Sequence, residues 1–503
     1  MGNYGMGISS SISDKSDAAS FSNGIRFYKQ FPIFVCFFAL LVITSFILYE
    51  FKWASVTALI WLALLSISLF VLAMNKQWAM YLLIVATPIF NIQFIYERSI
   101  IETVRVFPIT FVVLFVLCAL FIEKVLKNTS NRVGIFPTFH IPVLMICVWG
   151  IISEWWAFNR IVGIYWGISF ITNIVLYFLF SYFSNSVESI KKIMLCWIGM
   201  AIFVAISMFV GTITGYTLDE NIFVGNHFKI YSYYELSEMR AKGIAGAFAS
   251  TFVLIAILFA AGLATDTQKQ RNKVLFFLAI AFLVFALLLT QTKAPLAGLI
   301  AGFVFITPFL VDVRKNLLRY FCYIGLSFLI IFGTFLIYAA TLLQKTVAKG
   351  STASRIISPT ASTEAINYRF EYWNKVFKEF IHHDAYIQGL GIGGCTHFLF
   401  PPVPHIHSFY LSILFDFGLM GFIPFTAIVF LLCGDIFYTI RKLPANSTRT
   451  LFLCIYACII SCGVASITDF HYNFTIVWVV LGLVAGAHKY IRKYTSIRNK
   501  TLA

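Results

Sequence analysis

VLFFLAIAFLVFALLLTQ, residues 274–291, runs eighteen positions without a charged side chain or a proline. At about 1.5 Å of rise per residue, a helix of that length extends about 27 Å, close to the thickness of a bilayer's hydrocarbon. A surface helix of a soluble protein keeps a polar face, and this stretch has none. Working outward, comparable apolar stretches lie near 32–50, 54–74, 78–96, 106–123, 136–153, 161–183, 193–212, 244–263, 294–312, 318–343, 408–432, 450–468 and 473–488. The expected fold class is therefore all-α, a polytopic transmembrane helical bundle of about 12–14 spans. Residues 274–312 read either as one hairpin or as a broken pair.

Composition agrees, with 60% apolar and only 12% charged residues among 503. No soluble core hides that much Phe, Leu and Ile. The net charge of +16 suggests nucleic acid at first sight, but the basic residues fall in short runs between apolar stretches. Membrane orientation explains such runs better, so no nucleic-acid partner is expected. The first thirty or so residues are polar and Ser-rich, and the apolar stretch after them is too long for a signal-peptide core, so it reads as a first span. Nine of the ten cysteines lie in or beside apolar stretches, leaving Cys395 alone in the long loop with no disulfide partner there. Cys454, Cys458 and Cys462 share one helical face, and small residues packing a helix seam explain them better than a metal does.

With the N-terminus inside, 23 of the 37 Lys and Arg fall on the cytoplasmic side. The chain then divides into a cytoplasmic N-terminal tail (1–31), transmembrane helices 1–11 (32–343), a large periplasmic loop (344–407), transmembrane helices 12–14 (408–488) and a cytoplasmic C-terminal tail (489–503). No internal repeat is evident, which counts slightly against a repeat-built transporter.

Ionisable groups beside hydrocarbon are costly, so those on the loop side are candidates for function. Arg240 precedes Lys242, Gly243 and the small run Ala245-Gly246-Ala247, which puts a guanidinium above a helix N-terminus that also attracts anions. A snorkelling arginine is the competing reading. Lys293 lies in the short link Thr290-Gln291-Thr292-Lys293-Ala294-Pro295 and stays near the membrane surface, as an anion partner or a topology anchor. Phe370, Trp373, Phe377 and Phe380 recur at helical spacing and describe an amphipathic helix on or in the interface. Lys375 falls opposite that stripe, while Arg369 falls on its flank and needs an anionic partner.

His405 and His407 stand in Pro401-Pro402-Val403-Pro404-His405-Ile406-His407, where the loop re-enters the membrane. An imidazole there suits a general base for a hydroxyl. His382, His383 and His397 read as solvated or packing residues. Gln388 to Gly394 is a weak nucleotide motif with neither strand nor GKS around it. It reads as the flexible exit from the amphipathic helix, with backbone N–H groups that face an anion. Asp416 is the clearest charge within a span.

These pieces together resemble the O-antigen ligase and polymerase family of bacterial envelope glycosyltransferases. The most specific is His407-Ser408, then nine residues, then Gly418-Leu419-Met420-Gly421. Arg240-Ala241-Lys242-Gly243 is similar to the family's Arg-x-x-Gly, and Lys293 stands where the family usually has arginine. Arg369 with Trp373, followed by Gly389 to Gly393, completes the likeness over about residues 240–430. The resemblance implies a glycan donor on undecaprenyl pyrophosphate, a lipid A-core or glycan acceptor, and inverting transfer at the periplasmic face of the bacterial inner membrane, without metal or cofactor. It implies catalytic roles for His407, Arg369 and Arg240, and substrate-binding roles for Lys293, Arg160, His405, Trp373 and Ser408. A ligase of lipopolysaccharide biosynthesis is the first reading and an O-antigen or other surface-polysaccharide polymerase the alternative. A transporter of a lipid-linked sugar uses the same cations but also needs polar groups deep in several spans, and nothing positive points to a scaffold.

Overall fold

In a computed structural model the chain is described over residues 75–89, 94–96, 104–106, 108–126, 138–214, 249–290, 292–307, 359–399, 406–444, 447–467 and 474–502. The expected spans near 32–50, 54–74 and 318–343, together with Arg240 and His405, lie outside those residues. Within them the chain forms thirteen α-helices: α1 (Lys76–Ile89), α2 (Pro108–Leu126), α3 (His140–Ile152), α4 (Arg160–Phe183), α5 (Val187–Thr214), α6 (Ala249–Asp266), α7 (Gln270–Leu289), α8 (Lys293–Ile306), α9 (Pro359–His382), α10 (Gly394–Leu399), α11 (Phe409–Lys442), α12 (Ser447–Ala465) and α13 (Thr475–Leu502). Among the described residues, seven helices are long and apolar enough to cross a membrane. The protein is thus a multi-pass membrane protein of the all-α bundle class. Lipid offers no partner to a backbone amide, so apolar stretches satisfy their own N–H and C=O groups as helices.

One stretch departs from its expected span. α1 stops at Ile89, just after Pro88, and β1 (Phe94–Tyr96) pairs antiparallel with β2 (Val104–Val106), Ile95 opposite Arg105. Pro88 lacks the amide to continue a helix, and Glu97, Arg98 and Glu102 make the connection too polar for hydrocarbon.

α6 is buried along nearly its whole length, and α12 is buried over most of its own, so these helices form the centre of the bundle. α7 leaves Val274, Leu275, Phe277 and Leu278 exposed, as a helix facing lipid tails does. The 274–312 stretch is a broken pair: α7 packs on α6, whereas α8 packs on α12.

Close approach between helices depends on small residues. Gly298 and Gly302 of α8 bring its backbone against Ser461, Ala457 and Ala465 of α12. Gly482 and Gly486 of α13 lie in the same way against Tyr177, Phe180 and Ser181 of α4 and Ser184 just after it. The three cysteines of α12 belong to such a seam, with Cys454 against Gly262 and the Cys458 Sγ 3.9 Å from the Ile255 carbonyl oxygen.

At the far end of α11 from the long loop, a buried polar chain joins three helices. Asp435 of α11 accepts from the Tyr456 hydroxyl of α12 and pairs with Nδ1 of His488 on α13. The Arg492 Nε donates to His488 Nε2 at 3.2 Å. His488 thus links Arg492 to Asp435 through its two ring nitrogens.

Candidate functional site

α11 is broken at Gly418, whose φ of 61° and ψ of −160° no other residue type adopts readily. A break inside a span frees backbone groups that the helix otherwise satisfies, and here the glycine-rich run takes them up. Leu390 N–H donates to the Phe415 carbonyl at 2.7 Å and Gly391 N–H to that of Asp416 at 3.0 Å. In return, Leu419 N–H donates to the Tyr386 carbonyl at 2.9 Å and Met420 N–H to that of Ile387 at 3.2 Å. The Trp149 indole of α3 caps the freed Phe417 carbonyl at 2.8 Å, and the Trp156 indole reaches the Gly389 carbonyl at 3.2 Å. The buried Asp416 carboxylate accepts from Gly393 N–H at 3.1 Å and Cys395 N–H at 2.7 Å.

Glycine is required on both sides of this seam. A Cβ at Gly418 collides with the Ile387 carbonyl and the Gly389 amide, and one at Gly389 collides with the Asp416 carbonyl. The run was expected to be a flexible exit with amides free for an anion. That reading is corrected, because the amides of Gly389, Leu390, Gly391, Gly393, Gly394 and Cys395 all donate within the protein. The intra-span charge at Asp416 has the same explanation: it binds the loop.

α9 is the amphipathic helix read from the sequence, rotated from the expected stripe. Val376 and Phe380 are buried with Phe415 of α11, with Tyr372 and Trp373 packed against them, while Phe370 and Phe377 remain exposed. Its apolar face thus meets protein. Lys375 is exposed and Arg369 is half-buried at the edge of that face. The Trp373 indole donates to the Ile406 carbonyl at 2.8 Å, tying α9 to the residue before His407.

His407 is half-buried and held in the left-handed region, with φ of 54°. Such a conformation is uncommon outside glycine, though histidine adopts it more readily than most. It turns the chain into α11, where the buried Ser408 hydroxyl accepts from Leu411 N–H at 3.4 Å as the N-cap and Phe409 N–H donates to the Ser466 carbonyl at 3.0 Å.

Arg160 and Lys293 each occupy the first position of a helix, α4 and α8 respectively, and both are exposed. The positive end of the helix dipole adds to each cation, which makes both positions favourable to an anion. Arg160 reaches the loop through its own segment, where Trp156 bonds Gly389 and Gly391 packs on Ala157. Lys293 is tied to the start of α11 by another route. Gly298, further along α8, lies on Ala465 of α12, and the next residue, Ser466, bonds Phe409. Arg160, Lys293, Arg369, Trp373, His407 and Ser408 therefore stand at one end of the bundle.

One candidate escaped the sequence reading. Glu154, in the 3-10 turn Ser153–Trp156, has both carboxylate oxygens buried with no hydrogen-bond partner among the described residues, lying over Gly163, which leaves room for them. Burial pushes its carboxyl above the ordinary range, and the Arg160 guanidinium pulls it part of the way back. No motif marks it, and only the unusual lack of a partner singles it out.

The fold and site define a class: a multi-pass helical membrane protein whose long loop is bonded into a broken span, with histidine and cations at that end. Within the chain, residues 278–426 match the family model described as O-antigen ligase. The resemblance drawn from His407, Lys293 and Arg369 is borne out over that segment, which contains all three. Comparison with curated proteins finds no match.

Proposed function

We propose that the protein is a membrane glycosyltransferase that moves an O-antigen-type glycan from undecaprenyl pyrophosphate to a lipid A-core sugar at the periplasmic face of the inner membrane, with both termini cytoplasmic. The observation that supports this best is the match over 278–426, whose span holds Lys293, Arg369, Trp373, His407 and Ser408 at one end of the bundle.

The acceptor oxygen attacks the anomeric carbon, the bond from that carbon to the diphosphate breaks, and the acceptor's proton passes to His407 as general base. The departing lipid diphosphate carries away the bonding pair. Arg369 and Arg240 meet its charge, with Lys293 and Arg160 at helix N-termini behind them. Trp373 and His405 are assigned to substrate binding, and Ser408 orders the turn that presents His407.

Purified full-length protein in nanodiscs, given lipid-linked donor and lipid A-core acceptor, tests the reading. Transfer by the wild type and a loss of about 10²- to 10⁴-fold in His407→Ala and Arg369→Ala are expected. Wild-type rates in both variants would refute the assignment. The surface glycan of a deletion strain separates the two family activities: free lipid A-core beside normal carrier-linked polymer marks a ligase, and core capped by a single repeat marks a polymerase.

A further inference from the structure

Phe158, in the connection between the 3-10 turn and α4, is 42% exposed, yet it is ringed by side chains of the long loop. His397 lies nearly parallel to it, at 9° and 5.7 Å between centroids. His383 and Phe398 meet it edge-on, each at 4.8 Å. His382 and His383 stand 5.1 Å apart, and the His383 Nε2 is 3.7 Å from the Glu379 carboxylate. All three histidines are exposed.

The composition of this patch says what it meets. Ionisable imidazoles and a carboxylate are costly in hydrocarbon, so the patch faces water or headgroups and not acyl chains. A phenyl ring left open to water among groups that both donate and accept suits a ligand with one apolar face and a rim of hydroxyls. A pyranose ring has that form: its C–H face covers the aromatic ring while its hydroxyls reach the imidazole nitrogens. Phe158 also precedes Arg160 by two residues, so a sugar held there lies beside a cation assigned to the donor diphosphate.

We propose that Phe158, His383 and His397 form a saccharide platform that holds a pyranose unit of the donor glycan next to the diphosphate. This rests on the glycosyltransferase reading and adds a subsite to it. Phe158 and the histidines hold the sugar without taking part in bond making.

Full-length protein in nanodiscs serves for the test, with two probes: the lipid-free oligosaccharide released by mild acid from the strain's own surface polysaccharide, and undecaprenyl pyrophosphate bearing no sugar. Phe158→Ala is expected to weaken oligosaccharide binding and raise the donor KM by about tenfold, with kcat within about twofold and the sugar-free lipid bound as before. Phe158→Tyr keeps the ring and is expected to restore wild-type values. His397→Ala is expected to follow Phe158→Ala in weaker form. If the wild type transfers glycan while Phe158→Ala leaves KM and oligosaccharide binding unchanged, the platform is wrong and the transferase reading stands. Equal loss of binding to both probes would make the ring a packing element and overturn the proposal. If the wild type transfers nothing, the transferase reading fails, and oligosaccharide binding that still depends on Phe158 supports the platform by itself.

Discussion

Replacing Gly418 by alanine puts a methyl group where two backbones cross. The φ and ψ of that residue are open almost only to glycine, which costs a side chain about 1–3 kcal/mol. The added Cβ also meets the Ile387 carbonyl and the Gly389 amide, and neither is a flexible tip that turns aside. Relief requires the loop to lift from the span, which breaks the four backbone bonds linking Tyr386, Ile387, Leu390 and Gly391 to residues 415–420. At about 1 kcal/mol each these add about 4 kcal/mol, the free energy of docking that the variant forfeits. The spans retain their own backbone bonds, so the expected result is undocking of the loop and not unfolding. Hydrogen exchange read by mass spectrometry is the assay. Amides of 389–391 and 419–420 are expected to exchange at least about 10³-fold faster in Gly418→Ala, while α6 and α12 keep their protection. A folded variant with wild-type exchange at Leu390 and Gly391 would refute the reasoning.

Glu154 gives a pH-dependent prediction. Its raised carboxyl pKa means that the folded protein holds that proton more tightly than the unfolded chain, so its contribution to stability is lost as pH rises from the ordinary carboxylate range to the raised value. Glu154→Gln is expected to flatten the thermal midpoint across that window and to be the more stable protein above it, as followed by thermal unfolding in detergent. A midpoint that falls with pH as steeply as in the wild type would contradict this. At the other end, Asp435→Asn leaves His488 and Tyr456 without their shared carboxylate and is expected to destabilise the protein by about 3 kcal/mol. Exchange should then rise in the second half of α11 and in α13, with the loop seam at Gly389 to Gly391 unchanged. Faster exchange at that seam would show the two ends to be coupled.

The apolar stretches were legible because lipid leaves a chain few choices: an uncharged run such as 274–291 either spans or fails to insert. The His407 to Gly421 spacing was legible too, but its cause was hidden. The sequence shows two glycines and an aspartate in a span, and only the fold shows that Gly418 breaks the helix so that Asp416 and its neighbours can bind the loop. The same contact explains why Gly389 to Gly393, which looked flexible, is held. Periodicity located α9 correctly yet assigned its stripe to the interface, because it cannot tell a lipid partner from Phe415. Glu154 and Phe158 left no pattern, since each matters through residues distant in sequence.

The seam at Gly418 bears on how such proteins diverge. Residues 386–395 and 415–420 complete each other's hydrogen bonding, so neither can be exchanged alone without stranding buried polar backbone. A chimera that imports a relative's 386–395 should therefore keep the seam only when that relative's own 415–421 travels with it.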